Sequence, residues 1–296
     1  MATVRHTAAA AVVDDATVDL EREFAFSEDD FRSLSKLAYE QAGIVLPESK
    51  RNLIYGRLSR RLRALELSTF RDYRAYLTGA GGAGEMQNFV NSISTNLTKF
   101  FRESHHFDHF RSTVVVPYAQ ARGRGNRRLR IWSAGCSTGE EPYTIAVILQ
   151  REMADIARHD VRILATDIDT EVLAKAAQGE YPENSIEDVP KAYRSYFEQN
   201  PGGRGSTVRL SAATRSLIAF RQLNLLNTWP FRGQFDAVFC RNVMIYFDTP
   251  TKAALVERFV ERLIPGGWLY IGHSESLLGS HNGLKLMGRT IYRREA

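Results

Sequence analysis

Ser133-Ala134-Gly135-Cys136-Ser137-Thr138-Gly139-Glu140-Glu141-Pro142-Tyr143 joins a strand-like run, Leu129-Arg130-Ile131-Trp132, to an apolar helical run, Thr144-Ile145-Ala146-Val147-Ile148-Leu149. A strand, a glycine-bearing turn and a helix start form the first half of a βαβ unit that binds a nucleotide cofactor. The charge of the turn departs from the dinucleotide pattern. Glu140 and Glu141 stand where a pyrophosphate would rest on the helix N-terminus, and carboxylates there repel phosphate. They suit a cofactor that carries positive charge. S-adenosylmethionine has an ammonium and a sulfonium and no phosphate. The turn also lacks the Gly-Lys-Ser/Thr ending of a P-loop. The stretch therefore predicts a methyltransferase. The competing reading is that the two glutamates only serve the helix dipole.

Beyond this turn the chain alternates strands and helices. Val161 to Asp167 reads as a second strand, Phe235 to Cys240 as a later one and Gly267 to Gly272 as another. A helix from Thr249 to Leu263 stops at Pro265-Gly266. Alternation of this kind predicts an α/β fold with a mostly parallel sheet and helices on both faces. Residues 180–222 break the rhythm with Pro182, Pro190 and Pro201-Gly202-Gly203, then short strand-like pieces at Val208-Arg209-Leu210 and Leu217-Ile218-Ala219-Phe220. They read as a small inserted β element, which in an α/β enzyme is commonly a binding accessory. Leu284 to Arg294 reads as a closing hairpin.

The N-terminal part has a different texture. Residues 26–93 carry helical spacing: Phe31, Leu34, Leu37 and Ala38 behind the capping cluster Ser27-Glu28-Asp29-Asp30, then Ile54, Leu58, Leu62 and Leu65, then Phe70 to Leu77, then Met86 to Ile93. Gly43 and Gly81-Gly82-Ala83-Gly84 punctuate the runs. This predicts a small helical domain, followed by a linker over 94–128 and the sheet domain over 129–296. Residues 1–25 are Ala-rich but weakly apolar, with Asp14-Asp15 inside, and read as a disordered tail.

The 296 residues have 44% hydrophobic and 25% charged content, ordinary for a water-soluble protein. No stretch approaches the length of a membrane span. Two cysteines, Cys136 and Cys240, cannot build a disulfide framework, so the expected compartment is the reducing cytoplasm. The net charge of +5 suggests an acidic partner, nucleic acid or protein. Lys50, Arg51, Arg57, Arg60, Arg61 and Arg63 form a run without an acid, and Arg57, Arg60 and Arg61 share one side of a helix. An uncompensated face of one sign is a candidate docking surface.

Asp167 ends the second strand, where an acid in a doubly wound fold accepts hydrogen bonds from ribose hydroxyls. Asp169 is the expected cap of the helix that follows. Cys240-Arg241-Asn242-Val243-Met244-Ile245-Tyr246-Phe247 follows another strand and should line the site. Arg241 and Asn242 supply donors there, which suit an anionic acceptor. The Asn/Asp-Pro-Pro-aromatic segment of base-amino methyltransferases is missing. Thr95 to Arg102 places polar groups beside Phe100 and Phe101. His105 and His109, four apart, could chelate a metal on a helix, but methyl transfer to an ionised oxygen needs none, and no metal is expected. Cys136 and Cys240 read as buried thiols more readily than as nucleophiles. His273-Ser274-Glu275-Ser276 is either a capped turn or part of the site wall.

Thr95-Asn96-Leu97-Thr98, Phe100-Phe101-Arg102, Ser137 to Tyr143, Asp167-Ile168-Asp169 and Cys240 to Phe247 together resemble the CheR-type chemotaxis receptor methyltransferases. The resemblance runs from about Phe26 to the C-terminus. It implies an N-terminal helical domain and a class I S-adenosylmethionine-dependent methyltransferase domain, Rossmann-like, with a small inserted β-subdomain. It implies transfer of methyl from S-adenosylmethionine to receptor glutamates, leaving glutamate methyl esters and S-adenosylhomocysteine. By motif, cofactor contacts fall on Asn96, Thr98, Arg102, one of Glu140 and Glu141, Asp167, Asn224, Leu225, Arg241 and Asn242. Spacing does not fix which glutamate; Glu141 is preferred. Arg102 and Tyr246 are the candidates for orienting the acceptor carboxylate. The expected partners are the acidic methylation helices of transmembrane chemoreceptors, met by Arg57, Arg60 and Arg61, with the enzyme a monomer that neither inserts in a membrane nor binds nucleic acid directly. In some members the inserted element grips a receptor C-terminal peptide; here Tyr181 to Phe220 shows little motif identity. A nucleic-acid methyltransferase and a non-enzymatic sensor of adenosyl ligands are the alternatives.

Overall fold

The structure, a computed structural model, describes residues 22–121, 128–200, 206–277 and 283–295. Most of the tail expected over 1–25, and the Pro201-Gly202-Gly203 turn, lie outside the described residues.

The helical part opens with α1 (Glu28–Ala42), whose Ser27 hydroxyl and Asp30 carboxylate form the reciprocal capping box, and which ends at Gly43. It continues with α2 (Arg51–Ala64), α3 (Phe70–Thr78) and α4 (Ala83–Ile93). Their apolar stripes meet in one core around Phe26, Leu34, Ile54, Leu58, Leu62, Phe70, Tyr73 and Phe89. Helix α4 starts three residues before the sequence suggests and holds Gly84 in its first turn. Residues 94–99 form an extended connection outside any helix or strand. α5 (Ser104–Phe110), a π-helical turn at Arg111–Val115 and α6 (Val116–Gln120) then lead into the sheet.

The sheet domain runs β1 (Arg128–Ala134), α7 (Glu140–Glu152), β2 (Asp160–Asp167), α8 (Thr170–Gln178), β3 (Glu180–Pro182), β4 (Phe197–Gln199), β5 (Thr207–Leu210), α9 (Ala212–Arg215), β6 (Ile218–Gln222), β7 (Phe235–Cys240), α10 (Thr249–Arg262), β8 (Leu263–Ile271), β9 (Leu284–Gly288) and β10 (Ile291–Arg294). The main sheet has seven strands in the order β6-β2-β1-β7-β8-β10-β9. The pairs among β6, β2, β1, β7 and β8 are parallel, and the final hairpin pairs antiparallel to β8. Strand order reverses beside β1, between β2 and β7. In open α/β sheets this switch point is where ligands bind, outside the carboxyl ends of the strands.

One expectation is corrected. Leu217 to Phe220 does not belong to the inserted element. Ile218–Gln222 pairs in parallel with Ile163–Asp167 and forms the edge of the main sheet. The insert proper is the antiparallel sheet β3-β5-β4. Its core is Tyr181, Val189, Phe197, Val208 and Leu210, packed on Phe100 and Tyr143 of the main domain. The helix before β8 also ends at Arg262, so Leu263 to Gly267 are strand.

Candidate active site

A cleft enclosing about 1000 Å³, its open mouth included, lies at the switch point between the sheet and the helical domain. Such a volume suits a cofactor-sized ligand. The sheet contributes the ends of four strands: Gly135 to Ser137 after β1, Asp167 of β2, Leu223 to Leu225 after β6 and Arg241 to Val243 after β7. The helical domain contributes Ala42, Ile44 and Ile93, and the extended segment contributes Ser94 to Lys99 and Arg102. Tyr246 and Phe247 close one side. Gly135 has φ +85° and lies under Val243, whose Cγ2 would sit 2.3 Å from a Cβ at that position. A side chain there would force apart the two loops that form the floor.

Two carboxylates define the electrostatics. Asp167 is buried; its Oδ2 accepts from the Ser137 N–H at 2.8 Å and its Oδ1 from the Asp169 N–H at 3.0 Å. Glu141 is buried, accepting from the Ser133 hydroxyl at 2.7 Å and from Arg241 at 3.0 Å. Burial pushes both carboxyls above their ordinary range, against the opposing pull of backbone N–H groups on Asp167 and of Arg241 and Ser133 on Glu141. A cationic ligand would relieve that penalty; a phosphate would add to it. Glu140 does not line the cleft, and its carboxylate accepts the Thr138 hydroxyl at 2.7 Å. The geometry thus separates the pair, with Glu141 toward the cleft.

Arg241 is buried, and both Nη atoms of its guanidinium are engaged inside the protein, while its Nε has no hydrogen-bond partner among the described residues. It pairs with Glu141, lies 3.5 Å from Glu103, donates to the Arg102 carbonyl and sits over the Phe107 ring. Its side chain therefore organises the site wall instead of standing free in the cleft. Asn242 has φ +60°, and its N–H donates to Glu275 at 2.9 Å. Asn96 lines the cleft, but its amide donates to Asp169 at 2.7 Å, while its carbonyl accepts the Ser137 hydroxyl at 2.9 Å. Asp169 also caps α8, as expected. Asn224 donates to the Gln41 carbonyl at 2.8 Å, and the Leu225 carbonyl accepts from Trp229 and Arg258. Thr98 lines the cleft. Arg102 lines the cleft with its guanidinium bonded to the Leu97 carbonyl at 2.8 Å, between Phe101 and Glu103, two non-glycine residues with φ of 54° and 56°. Left-handed backbone of this kind is costly and collects at functional sites. The Tyr246 hydroxyl donates to the Thr95 carbonyl at 3.3 Å, and burial raises its pKa, so it stays a protonated donor near neutral pH.

The docking face is corrected in part. Arg57 donates to the carbonyls of Ile93 and Ser94 at 2.9 and 2.8 Å, closing the C-terminus of α4. Arg61 forms a forked pair with Glu85, a residue only 4% exposed, at 2.9 and 2.7 Å. Arg63 pairs with Glu23 and Arg51 binds the Phe26 carbonyl. The run is thus compensated by groups distant in sequence. Arg60 is exposed and has no hydrogen bond or ion pair among the described residues.

His105 and His109 face different partners, the Arg289 carbonyl and the Tyr270 hydroxyl. Cys136 and Cys240 are 1% and 0% exposed at the ends of neighbouring strands, and burial pushes both thiols well up, which opposes a nucleophilic role. Sequence reasoning missed Ser133 and Glu103. Ser133 is the polar residue inside an otherwise apolar strand end, a signal that was available. Glu103 carried no local signal. Its carboxylate accepts the His273 N–H at 3.1 Å, faces His273 Nδ1 at 2.9 Å and neighbours His106 and Arg241.

The strand order, the cleft at the switch point and its acid-lined floor define a class I methyltransferase fold that binds S-adenosylmethionine. The family models agree and are more specific. Residues 29–94 match the "CheR methyltransferase, all-alpha domain" and residues 96–293 the "CheR methyltransferase, SAM binding domain". The chain belongs to the CheR methyltransferase family. It is 43% identical over 273 residues to chemotaxis protein methyltransferase 2 of Pseudomonas aeruginosa, covering 92% of this chain and 95% of the relative. It is 42% identical over 270 residues to the chemotaxis protein methyltransferase of Escherichia coli, covering 90% and 91%. It is an S-adenosylmethionine-dependent methyltransferase of chemotaxis receptors. Among the described residues no helix is long and apolar enough to cross a membrane.

Proposed function

We propose that the cleft at the switch point holds S-adenosylmethionine against Asp167 and Glu141 and that glutamate side chains of chemoreceptor methylation helices enter at Arg102 and Tyr246. The single observation that carries this reading is the composition of the cleft. Two buried carboxylates form its floor, while Arg102 and the Tyr246 hydroxyl lie at its edge. A cationic cofactor and an anionic acceptor each find their complement.

When bound, the cofactor supplies an electrophilic methyl group on its sulfonium. The chain's residues have a placement task. A glutamate is already ionised near neutral pH, so no general base is required. Arg102 orients the acceptor carboxylate as a donor, Tyr246 joins it by turning its hydroxyl proton from the Thr95 carbonyl to the acceptor, and Asp167 accepts from the ribose hydroxyls. Alignment of the reacting atoms within such a site accounts for much of the rate gain in transfers between bound partners. Ala42, Ile44 and Ile93 cover the apolar side and exclude water. Asn224-Leu225 and Asn242 contribute backbone to the cofactor wall, and Asn96, held by Asp169, stiffens the segment beside it. The Arg241 side chain holds Glu141 in place.

The acidic flank of the receptor helix meets Arg60, the cation of α2 without a partner among the described residues, with Arg57 and Arg61 serving the scaffold. The β3-β5-β4 insert is the place for a receptor tail peptide, and the enzyme works as a monomer. Incubation with labelled S-adenosylmethionine, receptor-containing membranes and nucleic acid tests the reading. Base-labile label on the receptor supports it. Label on RNA or DNA alone, or no transfer with bound cofactor, refutes it.

A further inference from the structure

The end of β8 continues into Gly272-His273-Ser274-Glu275, and this turn reaches across to the loop that carries Asn242 and Tyr246. Glu275 is 5% exposed although it is a carboxylate. Its Oε2 accepts the N–H of Asn242 at 2.9 Å and the N–H of Gly272, and its Oε1 accepts the N–H of Ile245 at 3.2 Å. Both oxygens are therefore spent on main-chain donors, two of them in the loop after β7. Glu275 is not among the cleft residues.

Gly272 completes the fit. A Cβ there would lie 2.4 Å from the Asn242 Nδ2 and 2.8 Å from its main-chain N. The close approach of the two loops thus depends on an absent side chain at Gly272, just after β8, and on a buried carboxylate three residues further along the same turn. Asn242 sits at φ +60°, which a non-glycine residue keeps only where its surroundings over-determine it. The Glu275 bonds supply that restraint. Four residues on from Asn242, the Tyr246 N–H donates to the Val243 carbonyl and the Tyr246 carbonyl accepts from Val45 of the helical domain.

We propose that Glu275 is a positioning residue for methyl transfer, a carboxylate clasp that fixes the Asn242 to Tyr246 loop in the shape that presents Tyr246 to the acceptor. The proposal deepens the function above and rests on that reading for its catalytic half. A glutamine is the same shape but has one acceptor oxygen, so its amide NH2 must face an N–H donor. The loop is then released without a large change in volume.

The test compares the parent with Glu275→Gln and Gly272→Ala in the full chain. Hydrogen exchange by mass spectrometry reads the amides of 241–247 and, as reference, those of β1 and β2. Calorimetry reads S-adenosylhomocysteine affinity, and receptor methylation gives kcat and KM. In Glu275→Gln the loop amides should exchange at least about tenfold faster, as expected on losing a charged hydrogen bond, with β1 and β2 unchanged. The kcat should fall about 10- to 100-fold, the scale of a misplacement near 1 Å, with cofactor affinity changed by less than about tenfold because Asp167 and Glu141 keep their places. Gly272→Ala, which pushes the same loop with Glu275 intact, should give the same pattern. Parent-like loop exchange, equal loosening of β1 and β2, or unchanged kcat in the Glu275→Gln protein overturns the proposal. Failure of the broader reading is distinguishable: the parent itself would then transfer no methyl to receptor, while the exchange arm still decides whether the clasp exists.

Discussion

Replacing Arg61 by alanine takes a guanidinium away from Glu85, a carboxylate that is 4% exposed. Arg61 supplies two of the hydrogen bonds to Glu85, at 2.9 and 2.7 Å; Tyr73 and Asn88 supply one each, both at 2.9 Å. Removing one partner of a fully buried ion pair costs about 3–5 kcal/mol, because the other charge stays in a poor solvent. Here the cost belongs near the lower end, about 3 kcal/mol, since two donors remain and a quarter of the Arg61 side chain already meets water, at 25% exposure. Arg60 is the contrast. It is exposed and unpartnered among the described residues, so Arg60→Glu should change stability by less than about 0.5 kcal/mol. If Arg60 meets the acidic receptor flank, that variant should lose receptor methylation at low salt, and raised salt should shrink the gap between it and the parent as screening shortens to about 8 Å at physiological strength. Urea unfolding and receptor methylation across a salt series separate the two residues. Arg61→Leu combined with Glu85→Gln should recover most of the lost stability. A stable Arg61→Ala protein would refute the buried-pair argument, and an Arg60→Glu protein that methylates normally at every salt concentration would refute docking through α2.

Asp167→Ala should weaken S-adenosylhomocysteine binding by about tenfold or more, on about 1.5–3 kcal/mol for each charged hydrogen bond lost; calorimetry showing parent affinity removes Asp167 from the ribose role. Cys136→Ser and Cys240→Ser should each retain substantial methyl transfer, since both thiols are buried and protonated; complete loss in a folded variant revives a nucleophile. For Glu103, burial alone would raise the pKa, but His273 and Arg241 outweigh it and hold the carboxyl at about 2 against 4.5. The unfolded chain takes up this proton first, so the contribution is complete above about pH 4.5 and is lost as the pH falls toward 2. Glu103→Gln should flatten that part of a stability profile measured in urea, and an unaltered acid limb would show that the pairing has no energetic weight.

The parts of the molecule that were legible in the sequence are those set by local chemistry. Ser27 with Asp30 marks the start of α1, and Gly43 its end. The runs at Leu129, Val161 and Phe235 are strands because apolar β-formers stand before a turn, and the residues after them reach the cleft because parallel strands share one carboxyl edge. What remained hidden depends on pairings far apart in the chain. Leu217 to Phe220 looked like a continuation of the short strands before it, but its hydrogen bonds go to β2, more than fifty residues earlier. The charge run on α2 looked uncompensated because Glu85 and the carbonyls of Ile93 and Ser94 lie beyond two turns and another helix. Arg241 looked like a donor to a ligand, whereas Glu141 and Glu103 claim it.

Those same long-range pairings tie α2 to the cleft. Arg57 lies on the helix expected to meet the receptor, yet it holds the carbonyls at the end of α4 and touches the Thr95 hydroxyl at 3.3 Å. The next residues, Asn96 and Thr98, line the cleft, and Asn96 is bonded to Asp169 and Ser137 of the sheet domain. Asn91 at the other side of that corner bonds Thr170, and Gln87 the Ile168 carbonyl. The helical domain is therefore joined to the strand ends through the very segment that carries the cofactor wall. If a receptor helix docks on α2 as proposed, Arg57 and residues 94–96 are the shortest bonded route from it to the cleft.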